Sequence, residues 1–265
     1  MRAGRGVAIL FGVMLARAAA AQDFRGASPP AADADAHSLL ESGLPSPAIA
    51  LAAAATQTRW WGLRGLETRA VSLSAGHRTW RVSLGLSQTG EPELGWTALA
   101  LGVGSASASA GAGVRACTRR DRDAPWSASR AFGNGAGVEL GAGAWLDLRP
   151  LRVWASAPQM WASGAAPPLV RPLELGLRAG SATGAWVRLV SPRAGDDGER
   201  ALGVAIGIAP ALAWAEVRDA PLRGAIGLTT TLGSLQVEAR VDAHPVLGET
   251  VGVELSWVRG PRARS

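Results

Sequence analysis

Ser234-Leu235-Gln236-Val237-Glu238-Ala239-Arg240-Val241-Asp242 is apolar at every odd position and polar or charged at every even one. A period of two marks a strand, because successive side chains leave the pleated backbone on opposite faces. The alternation recurs elsewhere. Val251, Val253, Leu255 and Trp257 oppose Gly252, Glu254 and Ser256, and Trp80, Val82, Leu84 and Leu86 oppose Arg81, Ser83, Gly85 and Ser87. Leu173, Leu175 and Leu177 oppose Glu174, Gly176 and Arg178, while Leu202, Val204, Ile206 and Ile208 oppose Ala201, Gly203, Ala205 and Gly207. A soluble sheet would carry many charges and threonines on its second face. Here that face is Gly, Ala or Ser with an occasional Arg or Glu, which fits an enclosed lumen better than a packed core.

The links between such segments are alternately tight and roomy. About fourteen strands are expected, near 47–61, 67–75, 79–88, 94–103, 109–119, 133–149, 151–157, 172–179, 185–190, 201–209, 211–218, 222–232, 234–242 and 250–259. Tight links fall at 76–78, 104–108, 149–150, 180–184, 209–210 and Gly233, and roomier ones at 89–93, 120–132, 158–171, 191–200, 219–221 and 243–249. Short turns on one side and longer loops on the other are the pattern of a transmembrane β-barrel. The expected fold is therefore all-β, a single antiparallel up-and-down barrel with both termini on the tight-turn side, facing the periplasm.

The N-terminus sets the compartment. Arg2 and Arg5, the apolar run Val7 to Leu15 and the small residues Ala19-Ala20-Ala21 predict a cleaved signal peptide over 1–21. No cysteine sits at the cleavage site to mark a lipoprotein. Removal of Arg2, Arg5 and Arg17 lowers the formal charge from +6 to +3, which weakens any nucleic-acid reading of the basic balance. Charged residues make up 18% of the chain, below the roughly 25% of soluble domains. No apolar stretch of the mature chain is long enough for a membrane helix, so crossing must be by strands. The single cysteine, Cys117, permits no internal disulfide and reads as a small strand residue.

Residues 22–46 are polar, proline-bearing and without strand periodicity, and they read either as a periplasmic tail or as an N-terminal plug. The barrel then covers 47–259, with a tail at 260–265. The charged residues on the small-residue face are the lumen candidates: Arg81, Arg115, Arg178, Arg188 and Arg240, with Glu139, Glu174, Glu238 and Glu254. A structural ion-pair network is their first expected role, and a mild preference for anions their second. Tryptophan settles at membrane–water interfaces, so Trp80 and Trp257 at the tight-turn end and Trp60, Trp61 and Trp96 at the other are expected to form two interfacial girdles. Trp126 and Trp161 fall in expected outer loops.

Catalysis finds little footing. The bases available are His37, His77 and His244, and no serine with a base and an orienting group can be named beside any of them. Asp196-Asp197-Gly198-Glu199 lacks the ordered spacing of a calcium loop, and no Cys/His spacing suggests zinc. The expectation is a non-enzyme without cofactor or metal.

The Pro47-Ala48 step before the first strand, within Ser46-Pro47-Ala48-Ile49, resembles the Asn-Pro-Ala-Gly that often precedes it in the FadL long-chain fatty-acid transporter and PorV/PorQ barrel class. The Asn and Gly are absent here, and so is a closing C-terminal phenylalanine, for which Trp257 could substitute. The resemblance implies an outer-membrane barrel of a Gram-negative-type envelope, and the expected function is a passive conduit or hydrophobic-solute transporter in contact with outer-membrane lipid. A small hydrophobic or anionic solute would be its cargo. Two alternatives stay open: a non-conducting barrel anchoring a secretion or envelope protein partner, and a soluble periplasmic β-protein.

Overall fold

The computed structural model describes residues 37–260, apart from 48–49, 64, 92–93, 122–135, 165–172, 181–182, 192–198, 209 and 220–221. The expected signal peptide, residues 22–36, Trp126, the acidic run at 196–198 and the tail from 261 onward lie outside the described residues. After a short helix α1 (Ser38–Ser42) come β1 (Leu51–Arg59), β2 (Glu67–His77), β3 (Trp80–Glu91), β4 (Leu94–Ala106), β5 (Ala110–Asp121), β6 (Ala136–Asp147) and β7 (Leu151–Gly164). The circuit continues with β8 (Leu173–Ala179), β9 (Gly184–Ser191), β10 (Glu199–Ile208), β11 (Ala211–Asp219), β12 (Leu222–Leu232), β13 (Leu235–His244) and β14 (Gly248–Arg259). Each strand pairs antiparallel with its neighbours in sequence, and β1 closes on β14 with Leu51 opposite Arg259. The result is a closed fourteen-strand up-and-down barrel.

Closure leaves no sheet edge, so the strand backbones are hydrogen-bonded even where lipid surrounds them. The faces divide as the alternation dictates. Leu73, Leu84, Leu86, Val204, Ile206, Leu228, Val253 and Leu255 stand exposed on the outside, whereas Ser83, Ser87, Arg115, Glu216, Glu238, Arg240 and Glu254 are buried on the inside. An apolar band turned outward around a polar interior inverts a soluble core and suits a bilayer.

The turns follow local chemistry. Leu232 pairs with Leu235, leaving Gly233 and Ser234 as a two-residue hairpin link, and Gly233 supplies the left-handed φ of 64° that a tight turn needs. Three links expected to be roomy are not. The ladder continues to Glu91 opposite Leu94, to Asp219 opposite Leu222 and to His244 opposite Gly248, so β3–β4 and β11–β12 are each joined by two residues and β13–β14 by three. The longest link, between β5 and β6, is on the expected side. β7 also outruns its expected end at Ala157: it continues through Pro158 to Gly164 by means of a register shift opposite Leu140 and Ala142. A bulge absorbs the proline, which cannot donate to the ladder, and it brings Trp161, expected in a loop, into the strand.

Candidate functional site: the barrel lumen

The lumen is built by two different packings. Along β3–β7 the inward face is rich in glycines, alanines and serines, and the segment from His37 to Pro47 lies against it, with α1 contacting all five of these strands. The glycines make the seat. A Cβ on Gly102 would stand 2.7 Å from the Leu39 side chain, one on Gly113 2.7 Å from the Gly43 carbonyl oxygen, and one on Gly143 2.4 Å from that of Ser42. His37, Leu39, Leu40 and Leu44 are buried there. Gly43 ends α1 in the left-handed conformation, φ 74°, and turns the chain along the wall.

The wall grips this segment mainly through main-chain carbonyls. Arg81 donates Nε to Ser46 O and Nη2 to Pro47 O, both at 2.8 Å. Arg115 donates Nε to Leu40 O at 2.5 Å, Trp145 donates Nε1 to Pro45 O at 2.8 Å, and the Ser156 hydroxyl donates to Ser42 O at 2.9 Å. On β14, Glu254 stands 3.6 Å from His37 Nε2. Carbonyls left over where α1 ends and the chain runs irregularly are thus satisfied from the wall, as buried polar groups require.

The other half of the interior is filled by tryptophans and ion pairs. Trp145, Trp154, Trp186 and Trp214 are buried, each directly across the ladder from a glycine: Gly111, Gly176, Gly203 and Gly227 respectively. Each indole lies over its glycine so closely that an added Cβ would meet the ring at 2.4, 1.9, 2.2 and 2.3 Å. Leu44 joins this cluster from the N-terminal segment. All four rings sit near the tight-turn ends of their strands, so the lumen is aromatic there.

Beyond them runs a chain of buried charges. Arg188 donates to Glu174 at 3.0 Å and to Glu216 at 2.6 Å; Arg218 donates to Glu216 at 2.6 Å and to Asp242 at 3.1 Å. Glu199 pairs with Arg223 and stands 3.8 Å from Arg218. The indoles of Trp154 and Trp186 donate to Glu174 and Glu216, both at 2.9 Å, tying the aromatic cluster to the chain of charges. On the seat side Arg115 donates to Glu139 at 2.9 Å, and Gln159 donates to the other carboxylate oxygen at 3.1 Å. Removing one partner from such a pair leaves an uncompensated buried charge, so the network holds itself in register.

All nine lumen candidates are on the inner side. Glu238 accepts from Gln236, and Arg178 and Arg240 are buried on β8 and β13. Sequence reasoning missed Glu216, Arg218, Asp242, Glu199 and the four inward tryptophans, although Trp214, Glu216 and Arg218 share one parity on β11. The tryptophan girdles need correction. Trp80 and Trp257 do face outward at the tight-turn end. Trp60 and Trp96 are instead buried on the inner side: Trp60 donates Nε1 to Thr68 Oγ1 at 2.8 Å, and the Arg119 guanidinium lies 5.9 Å from the Trp96 ring. Trp61 is half-buried in the β1–β2 link, tilted against Trp60. Of the histidines, His244 has its Nδ1 occupied by the amides of Val246 and Leu247 at 3.2 and 3.1 Å, which closes the β13–β14 link.

A closed antiparallel barrel, apolar outside and polar within, defines an outer-membrane β-barrel of porin type in its architecture. The solved structure of the outer membrane protein Omp33 of Acinetobacter baumannii aligns with 80% of this chain and 99% of its own, at 9% identity and a TM-score of 0.50. A mutant of the Rh. blastica porin aligns with 79% of this chain and 99% of its own, at 9% identity and a TM-score of 0.42. No protein-family model matches the chain, and no curated protein sequence matches it.

Proposed function

We propose that the chain is a passive channel of the outer membrane whose lumen is stoppered by its own N-terminal segment. What supports this reading is the seat along β3–β7: the barrel closes without residues 37–47, and side chains of the wall bind that segment through hydrogen bonds to its carbonyls. Such bonds can be exchanged for water when the segment leaves, which continuous strand pairing would not allow. Release would expose an interior lined by small residues and paired charges, a surface for water and small polar solutes. Paired charges give no net attraction for anions, so the mild anion preference expected from arginine has no support in the network.

Alternating link lengths favour an orientation with the long β5–β6 link outside and both termini in the periplasm. No catalytic role is assigned. A kinship with FadL or PorV/PorQ barrels, with a hydrophobic cargo or an envelope partner, has the fourteen-strand count and the Pro47-Ala48 step in its favour.

Planar-bilayer recording tests the proposal. The secreted protein is expected to conduct rarely, and a variant lacking 22–46 to show higher single-channel conductance while keeping the heat-modifiable gel migration of a folded barrel. A folded variant that stays silent overturns the channel reading; equal conductance in both forms overturns the stopper.

A further inference from the structure

One stretch of the outer surface departs from the apolar band. Following the register from β1 to β5, Gln57 pairs with Arg69, Arg69 with Gln88, Gln88 with Thr97 and Thr97 with Arg120. All five face outward on one hydrogen-bonded row, within three residues of the long-link ends of their strands. The next outward row towards the membrane centre is Ala55, Val71, Leu86 and Leu99, again neighbours by register. Ala55 is small between Leu255 on β14 and Val71 on β2, and this leaves a groove of about 520 Å³ lined by Ala55, Val71, Leu86, Val253 and Leu255, with Gln57 and Arg69 at its upper end.

Among the described residues, the outward charge at that end is in cationic excess. Glu67 is engaged by Arg59 at 2.8 Å and by Gln57 at 3.1 Å, and Arg69 touches the same carboxylate only at 3.5 Å. One acid therefore faces two arginines, with Arg120 farther along the row. On the opposite wall the outward Arg200 has its own partner, Asp219, at 3.8 Å.

We propose that this face is a binding site for an anionic, phosphate-bearing membrane lipid, its phosphate held between Arg69 and Arg120 and an acyl chain lying in the groove beside Ala55. Guanidinium groups bind phosphate by paired, charge-assisted hydrogen bonds, and basic side chains at headgroup height select anionic lipids. The apolar row beneath matches the chains attached to such a headgroup. The location in the outer leaflet rests on the proposed orientation, whereas binding itself does not depend on conductance or on the plug.

The test uses the delipidated full-length secreted protein in detergent, titrated with bisphosphorylated lipid A or with the same lipid stripped of phosphate, and read by native mass spectrometry. Phosphorylated lipid A is expected to be retained at least tenfold more tightly. The Arg69→Gln, Arg120→Gln double variant should lose about tenfold in that retention. Ala55→Trp, which fills the groove and leaves both arginines, should weaken it as well and serves if the double variant fails to fold. Leu228→Gln on the far wall should leave it unchanged. Equal retention of the two lipids, unaltered retention in a folded Arg69/Arg120 variant or in Ala55→Trp, or an equal loss in Leu228→Gln overturns the site. So does a stable dimer in which a second copy covers this face.

Discussion

Arg115 donates its Nε hydrogen to the carbonyl of Leu40 at 2.5 Å while its Nη2 holds Glu139 at 2.9 Å, so one buried guanidinium joins the N-terminal segment to the barrel wall. It also caps the bulge in β7, donating Nη1 to Pro158 O at 2.6 Å. Three elements distant in sequence converge on a side chain that is fully buried. Arg115→Ala would take from Glu139 the guanidinium it pairs with, and loss of one partner of a buried pair costs about 3–5 kcal/mol. Urea unfolding, followed by loss of heat-modifiable migration, should show that drop. Adding Glu139→Ala should recover part of it; losses that merely add would show the pair is not coupled.

The seat is specific enough to be filled on purpose. Gly143 has no room for a side chain while the segment is in place, because a Cβ would stand 2.4 Å from Ser42 O and 2.9 Å from the Leu44 side chain. Gly143→Leu should therefore displace the segment and raise conductance towards that of the variant lacking 22–46, with strand content by circular dichroism unchanged. A folded Gly143→Leu barrel as quiet as the parent would count against the seat as the controlling contact.

Facing can be tested with a pair of neighbours on β13. Val237 looks outward and Gln236 inward, where Gln236 already bonds Glu238. An arginine on the lipid side costs about 2–4 kcal/mol at mid-membrane and less towards the interfaces, whereas at 236 it would meet a carboxylate. Val237→Arg should impair assembly into the outer membrane far more than Gln236→Arg. Comparable assembly of the two would undo the assignment of faces. Ala205 is a poor inward control, since it is buried among the tryptophans.

The fold was legible because a period of two survives any sequence context: lipid and lumen impose opposite demands on alternate residues of every strand. Strand ends were less so. β3 and β4 each run three residues past their expected ends because the ladder itself, not residue type, decides where pairing stops, and Pro158 hid the second half of β7 because a bulge that houses a proline leaves no mark in composition. Arg81, Arg115 and Glu254 were found because the neighbours on their faces are small or lightly polar. Glu216 and Arg218 escaped because they share a face with Leu212 and Trp214, which blurs the contrast between faces on β11. Trp96 carries two opposed signals: its parity with Ala98 and Ala100, opposite to Leu99 and Leu101, points inward, whereas the general preference of tryptophan for interfaces points outward, and in this barrel parity prevails. The seat of the N-terminal segment was beyond reach, since it depends on which glycines meet across five strands.

Those glycines also carry the last expectation. Trp186 lies over Gly203 on the neighbouring strand, with an added Cβ meeting the indole at 2.2 Å, and the same indole donates to Glu216, which Arg188 and Arg218 share. Gly203→Ala must push the ring off its glycine, and overpacking of this kind costs about 1–3 kcal/mol. The cost should spread to the charges, because Glu216 then loses a donor. Gly224 serves as a control on the outer face of β12, where a Cβ would meet nothing closer than Glu216 O at 3.9 Å. Gly203→Ala is expected to lower the urea midpoint and shift tryptophan emission to the red as Trp186 meets water, while Gly224→Ala leaves both in place. Identical behaviour of the two variants would mean that the indole stacks do not hold the lumen together, and that the ion pairs stand without them.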